Sequence, residues 1–348
     1  MYGSGEEGQT VDAGDEPLAI RVTYGYSRDH RPDLKQWVMN LVCADSGGMP
    51  LLYAPGDGNQ SDRAELVRLV RRYRESLNLG EVVVLDGASY SQENLWALEG
   101  FGWILRVPAS LKEAQQLLQR DATAEAWLPL LPGYRGLEVE REYGGVRQRW
   151  LLVESEERAR LAEEELNRRV ARAEGEPPLA VGYRPLVRVE LDQGKLERAR
   201  QGLGRFLLAT NVLDTLRLPA AEVLRRYKGQ ARTVERGFRF LKDPLFFASS
   251  TFLKRAERVM SLGMVMAVAL LVYALGEWEL RRKLLENQAS LPDQKGRPTQ
   301  RPTLRWVFQL FIWVRLVELE GRPLVLNLAP HHETAVRLLG AQRYYLLE

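Results

Sequence analysis

The sequence predicts a mixed α/β sheet that carries a β-rich insertion and ends in a small C-terminal unit. Three observations predict it. A meander of three strand-like runs comes first, and helical and strand-like runs alternate after it. Composition then shifts near Asp121 toward charged helices and a Gly-Gly hairpin, and the earlier style returns at Phe206. Finally, Pro302 is followed by a short helix–strand–helix pattern of its own.

The elements follow in order. Residues 1–17, MYGSGEEGQTVDAGDEP, are acidic and glycine-rich and read as a flexible tail without a secretory signal. AIRVTYGY (Ala19–Tyr26), LKQWVMNLVCA (Leu34–Ala44) and LLYAP (Leu51–Pro55) read as strands, the last two as a hairpin turned by DSGGMP. Ser61 or Asp62 can cap a helix over Arg63–Leu77. EVVVLDGASY is a buried-type strand that ends at Asp86, SQENLWALEG starts a helix, and GWILRVP is a short strand. These runs make 18–120 the first part of a core.

Residues 121–205 form the expected insertion. LEVEREYGGVRQRWLLVE is a hairpin turned at Gly144-Gly145, and Ser155 caps a charged helix to about Ala173. LVRVELD (Leu186–Asp192) reads as a further strand. The core resumes over 206–290 with FLLATNV and a helix from about Pro219. LPDQKGRPTQRP (Leu291–Pro302) reads as a basic linker into the C-terminal unit, 291–348, with helix LRWVFQLFIWVRL, strand PLVLNL and helix HETAVRLL.

Composition narrows the function classes. The 348 residues are 45% hydrophobic with a net charge of only +3, so any charged partner must be recognised by local patches. The basic residues are mostly arginine, which suits forked contacts to phosphate. One cysteine, Cys43, excludes an intrachain disulfide and a cysteine-based zinc cluster. The longest apolar run, Met260–Leu275, has 16 residues and charged neighbours. That is short for a membrane span, so it reads as a helix buried on nearly all sides of a core, with no membrane partner. Neither a P-loop nor a Gly-x-Ser-x-Gly elbow is present, which removes the support for nucleotide or serine hydrolysis. His331-His332-Glu333 lacks the i, i+4 spacing of a helical zinc pair and reads as a helix start. Trp37, Trp96, Trp103 and Trp278 lie in predicted elements and read as core.

YKGQARTVERGFRFLKDP (Tyr227–Pro244) resolves into two faces when read as a helix. Arg232, Glu235, Arg239 and Lys242 share one stripe, and Val234, Phe238 and Leu241 another. Lys242-Asp243-Pro244 ends it, because the residue before proline avoids the α region. The ordinary reading is a solvated amphipathic helix. The sharper one is a carboxylate held among cations that bind a polyanion. Asp86, at a strand end, is a turn residue or helix cap on one reading and a ligand of chemistry on the other. Two carboxylates drawn together beside arginines would suit Mg²⁺.

The ordered pieces YGYSRDHRPDLKQW (Tyr24–Trp37), GDGNQSD, VVLDGASYSQENL, WILRVP, FLLATNVLD and YKGQARTVERGFRFLKDPLF resemble DDE transposases of the IS4-like group, most closely the IS1634-type branch. The resemblance covers most of the chain. It implies a ribonuclease-H-like core with a β-rich insertion between the second and third catalytic carboxylates. It implies that Asp86 and Glu235 are those two carboxylates, that both bind Mg²⁺ or Mn²⁺, and that Tyr227, Arg232, Arg239 and Lys242 hold DNA. Arg232 sits closer to Glu235 than the general pattern has it, and Gln230 takes the expected arginine place. In such enzymes water attacks a phosphodiester at a transposon end, and the freed 3′-hydroxyl attacks target DNA. The implied partners are transposon-end and target DNA, with a homodimer left open, in the cytoplasm at a bacterial nucleoid.

The family's first carboxylate belongs to a Leu-x-x-Asp-Thr-like strand before Tyr24, and no such segment occurs here. Asp12 and Asp15 sit in the glycine-rich tail. The expectation is therefore an N-terminally truncated transposase with weak or no catalysis. The competing expectation is a non-catalytic DNA-binding remnant that occupies transposon ends or inhibits a full-length enzyme.

Overall fold

The computed structural model describes residues 2–3, 19–25, 32–45, 47–60, 62–73, 82–85, 87–120, 127–175, 192–241, 250–251, 253 and 255–347, with the backbone alone over 2–3, 62–66, 173–175, 198, 231–241 and 250–251. The elements run β1 (Tyr2–Gly3), β2 (Val38–Cys43), β3 (Pro50–Gly56), α1 (Asp62–Arg72), β4 (Val82–Val84), α2 (Gln92–Ala97), β5 (Gly102–Arg106) and α3 (Lys112–Leu118). Next come β6 (Leu128–Leu131), β7 (Tyr134–Tyr143), β8 (Val146–Ser155), α4 (Glu156–Gly175), α5 (Gln193–Gln201), β9 (Arg205–Thr210) and α6 (Ala220–Leu241). The remainder is β10 (Ser250–Thr251), α7 (Ala256–Glu286), β11 (Leu291–Pro292), β12 (Pro298–Thr299), α8 (Leu304–Leu310), β13 (Arg315–Leu319), β14 (Arg322–Leu326) and α9 (Pro330–Leu339). The chain divides into two compact units, one of residues 1–60 and 231–348, the other of 61–230.

The 61–230 unit is built on a six-stranded mixed sheet in the order β4-β5-β9-β8-β7-β6. β4 and β5 are parallel, and every other neighbour is antiparallel. The segment 121–205, expected as an insertion, thus adds three strands to the sheet that holds β4, β5 and β9. The predicted hairpin is present. Tyr143 pairs with Val146 across Gly144-Gly145, and positive φ at both glycines (60° and 75°) gives the two-residue turn that a tight hairpin needs. Ser155 Oγ accepts from Arg158 N and caps α4, as its sequence position predicts. The predicted strand Leu186–Asp192 lies outside the described residues except Asp192, which caps α5.

Each face of this sheet buries alternate residues, as strand period requires. On one face Leu85, Trp103, Leu105, Trp150, Leu152 and Leu207 pack with residues of α1, α2 and α3. On the other Ile104, Leu151, Val153, Phe206 and Leu208 pack with Leu218, Val223 and Leu224 at the start of α6. Each such side chain contributes on the order of 1.5–3 kcal/mol. Several buried polar groups are matched, while Trp103 Nε1 has no hydrogen-bond partner among the described residues. Gln148 Oε1 accepts from Tyr90 Oη at 2.7 Å and from Trp150 Nε1 at 3.0 Å. The Asn211 side chain extends the sheet by accepting from Trp103 N (2.9 Å) and donating to Phe101 O (2.7 Å). Arg149, with a side chain only 4% exposed, pairs with Glu138 at 3.0 Å and donates to the Leu218 carbonyl, tying β8 to the approach to α6.

In the other unit the meander is reduced to a hairpin, β2–β3, and a single bridge between Thr23 and Gln36. The expected first strand would need backbone pairing along Ala19–Tyr26, but among its described residues there is only that bridge and one further backbone hydrogen bond, from Gly58 N to Arg21 O. The hairpin packs on α7, where Leu41 meets Met266, Ala267 and Leu270. Gly263 permits this contact, since a Cβ there would stand 2.1 Å from Tyr53 Oη and 2.7 Å from the Trp37 ring. Leu280 and Leu284, further along α7, bury Leu291, Leu304, Val307 and Ala335. Glu277, buried on α7, accepts from Leu304 N at 3.0 Å at the start of α8 and pairs with Arg281 at 2.8 Å.

Several expectations are corrected here. The run Met260–Leu275 belongs to a 31-residue helix that is apolar and long enough to cross a membrane. It is not buried on nearly all sides, for Met264, Val265, Val268 and Val272 are exposed while Val259, Met266 and Leu270 are buried. Helical periodicity turns an all-apolar run so that only one stripe meets the hairpin. Leu291–Pro302 is no free linker, because β11 and β12 pair around an Asp293 turn and Leu291 is buried. Trp37 and Trp103 are core, whereas Trp96 is 53% exposed with its Nε1 on Gly144 O, and Trp278 is also exposed. His332 begins α9 as expected. Its Nδ1 accepts from Ala329 N and its Nε2 donates to Leu310 O, both at 2.9 Å.

These contacts make three predictions. Gly263→Val should lower stability by about 2 kcal/mol, because the added methyls overpack against Tyr53 and Trp37, and a urea melt measures it. Arg149→Ala should cost about 3 kcal/mol by stranding Glu138 and the Leu218 carbonyl, read the same way. Burial pushes the Cys43 thiol up to about 11. Native protein at pH 8 should therefore react with a disulfide reagent far more slowly than protein in denaturant, since the thiolate is the nucleophile.

Candidate active site

One end of the six-stranded sheet gathers the C-terminal ends of β4, β5 and β8 and the beginning of β9. Register fixes this arrangement. Arg106, the last residue of β5, stands opposite Leu208, and Glu154 near the end of β8 stands opposite Arg205. Leu85 N donates to Ile104 O at 3.1 Å, which carries β4 to the same end. Strand ends of α/β sheets are where ligand chemistry collects.

On the α6 face this end changes from apolar to cationic. Phe206 closes the buried cluster, and the Tyr227 ring lies against it at 6.2 Å between centroids. Two guanidinium groups stand over the same Phe206 ring, Arg158 at 5.0 Å and Arg106 at 5.8 Å. Beside them the Lys228 ammonium sits 3.8 Å from the Tyr134 ring centroid. Lys228 lowers the Tyr134 phenol below its ordinary range, helped by Ser155 and the nearby Arg158 charge and opposed by burial.

Most other arginines of this unit are committed. Arg135 and Arg205 share Glu154, Arg225 and Arg226 share Glu222, and Arg160 holds Glu164 at 2.6 Å. Arg106 and Arg158 have no carboxylate partner among the described residues; their contact is the ring face. Gly87 sits close over Arg106, where a Cβ would come within 3.1 Å of the arginine's Cβ and carbonyl.

Of the residues singled out by sequence, Tyr227 is half-buried in this cluster. Arg232, Glu235 and Arg239 lie on the same unbroken helix, α6, as backbone, and their side chains are outside the described residues. Asp86 and Lys242 lie outside the described residues. Leu85 and Gly87, the sequence neighbours of Asp86, are described at that sheet end. Among the described residues no three His, Cys, Asp or Glu side chains are grouped to hold a metal ion. Sequence reading missed Arg106 and Arg158. Arg106 ends the WILRVP piece, and Arg158 follows the Ser155 cap by one turn, but only strand register and helix packing bring both onto Phe206.

Residues 8–272 match the family model described as a transposase DDE domain. No curated protein matches. Among solved structures, the cryo-electron-microscopy structure of a piggyBac transposase synaptic complex with hairpin DNA aligns with a TM-score of 0.40 and 10% identity, over 83% of this chain and 48% of that one. The chain therefore spans about half the length of that protein. A family model matched over three quarters of the sequence places the chain, plainly, in the family of transposase DDE domains.

Proposed function

We propose that the chain is a ribonuclease-H-like, IS4-like DDE transposase of the IS1634 type that engages DNA at insertion-sequence ends and targets. The observation that carries this reading is the arginine pair on Phe206, without a carboxylate partner among the described residues, at the sheet end where β4 ends, in a chain of the transposase DDE family. Asp86 and Glu235 are the proposed ligands for Mg²⁺ or Mn²⁺. These two would hold the ion, which would supply charge stabilisation for an in-line attack at phosphorus. Carboxylates are the hard oxygen donors these ions prefer, and two of them leave positions for water and phosphate.

The chain's own cations have separate work. Arg232, Arg239 and Lys242 would pair with backbone phosphates, and Tyr227, seated on Phe206, would support the strand from the start of the same helix. Forked guanidinium contacts fix a phosphate's orientation as well as its position. Two carboxylates hold a metal pair less firmly than three, and misplacement of the reacting groups alone costs about a hundredfold. Cleavage by this polypeptide is accordingly expected to be weak or absent. The second reading, occupancy of transposon ends without cutting, is favoured by the same arginine pair, since phosphate binding there needs no metal.

Nicking of insertion-end DNA with Mg²⁺ or Mn²⁺, measured beside DNA binding across a salt series, tests both readings. Salt-sensitive binding with nicking near background is the expected result. Robust nicking that disappears in Asp86→Ala and Glu235→Gln would establish a working carboxylate pair and refute the expectation of weak catalysis. No binding at low salt would remove the nucleic-acid reading altogether.

A further inference from the structure

We propose that Arg158 and Arg106, seated on the Phe206 ring with Lys228 alongside, form a phosphodiester-binding subsite for a DNA strand. This deepens the function proposed above and rests on its nucleic-acid reading. It assigns DNA contact to Arg158, at the start of α4, in the segment that the sequence reads as an insertion.

Three features favour a ligand here over a solvated surface. First, among the described residues neither guanidinium has a carboxylate partner, and Glu138, Glu154 and Glu222 are each already paired with other arginines. Second, the guanidinium groups are oriented without being neutralised. A ring face holds a guanidinium through its quadrupole and leaves the N–H edges free. Those edges match the spacing of phosphate oxygens. Third, the ring is rigid, because Phe206 belongs to the buried cluster that β5, β8, β9 and α6 share. Two cations within reach of one fixed ring therefore lose less side-chain freedom on binding than two cations on open surface.

Lys228 extends the positive potential along α6. The Tyr134 hydroxyl beside it offers a neutral donor for a second phosphate oxygen. The α4 terminus itself is left out of the subsite, since Glu156 and Glu157 occupy its first turn and already complement its dipole. Free phosphate would use the same chemistry, so the test must separate it from DNA.

The test uses the full chain in EDTA, where cutting cannot confuse binding. Fluorescence anisotropy with a labelled duplex of about 30 base pairs is followed across NaCl concentration. Arg158→Gln and Arg106→Gln should each weaken binding several-fold and reduce the slope of log K against log salt by about 1. Arg160→Gln, which breaks the Arg160–Glu164 pair on the same helix, should change neither quantity. Far-ultraviolet circular dichroism checks that each variant folds, and all three substituted side chains are exposed.

Wild-type affinity and slope in both Arg158→Gln and Arg106→Gln would overturn the subsite while leaving the transposase reading to its nicking assay. Loss of slope in both, with nicking near background in Mg²⁺, would establish the subsite and agree with the weak or absent cleavage expected above. Inorganic phosphate that displaces the duplex as effectively as an equal concentration of DNA phosphate would identify a free-anion site and overturn the proposal. Failure of the wild type to bind the duplex at low salt would overturn it too.

Discussion

The 61–230 unit depends on one strand, β9, being paired on both sides. Arg205–Thr210 joins β5 on one edge and β8 on the other, so the pair β4–β5 and the hairpin strands β7–β8 become one sheet. Every backbone group of a central strand that finds a partner avoids the cost of a buried unpaired amide or carbonyl. The strand also separates the two apolar clusters, since Leu207 and Ala209 face one way and Phe206 and Leu208 the other. Neither face could close without it.

That arrangement explains where charge can accumulate. Apolar side chains fill the middle of the α6 face, and only where the strands end does the face meet solvent. There Phe206 is both the last core residue and the platform for Arg106, Arg158 and Tyr227. At the same end Arg205 stays in the structure's own service. It bonds Glu154 at 2.9 Å and the carbonyls of Leu118 and Arg120. Arginines at one sheet end thus have opposite roles, and among the described residues the difference is whether a carboxylate stands within reach.

The unit of residues 1–60 and 231–348 has a different organising element. α7 holds the β2–β3 hairpin along one part of its length and the C-terminal segment along another. Glu277 is the joint of the second contact, because its buried carboxylate is shared between Leu304 N and Arg281. A buried carboxylate is tolerated only with such partners. The exposed apolar stripe of the same helix reflects a one-sided contact.

Local signals in the sequence determined local structure well. The Gly144-Gly145 turn, the Ser155 cap, the strands at Val82 and Gly102, the β2–β3 hairpin and the start of α9 were all legible, because each depends on neighbours a few residues away. The order of motif pieces was enough to indicate the family, and Tyr227 was legible as part of its helix. Tertiary structure decided the rest. It drew β6, β7 and β8 into the sheet with β4, β5 and β9, reduced Ala19–Tyr26 to a bridge among its described residues, exposed one side of α7 and folded Leu291–Pro302 onto the core. It also brought Arg106 and Arg158, 52 positions apart in the sequence, onto one ring. Pairing between distant strands and the sharing of carboxylates among arginines depend on which segments meet, and composition and period carry no record of that.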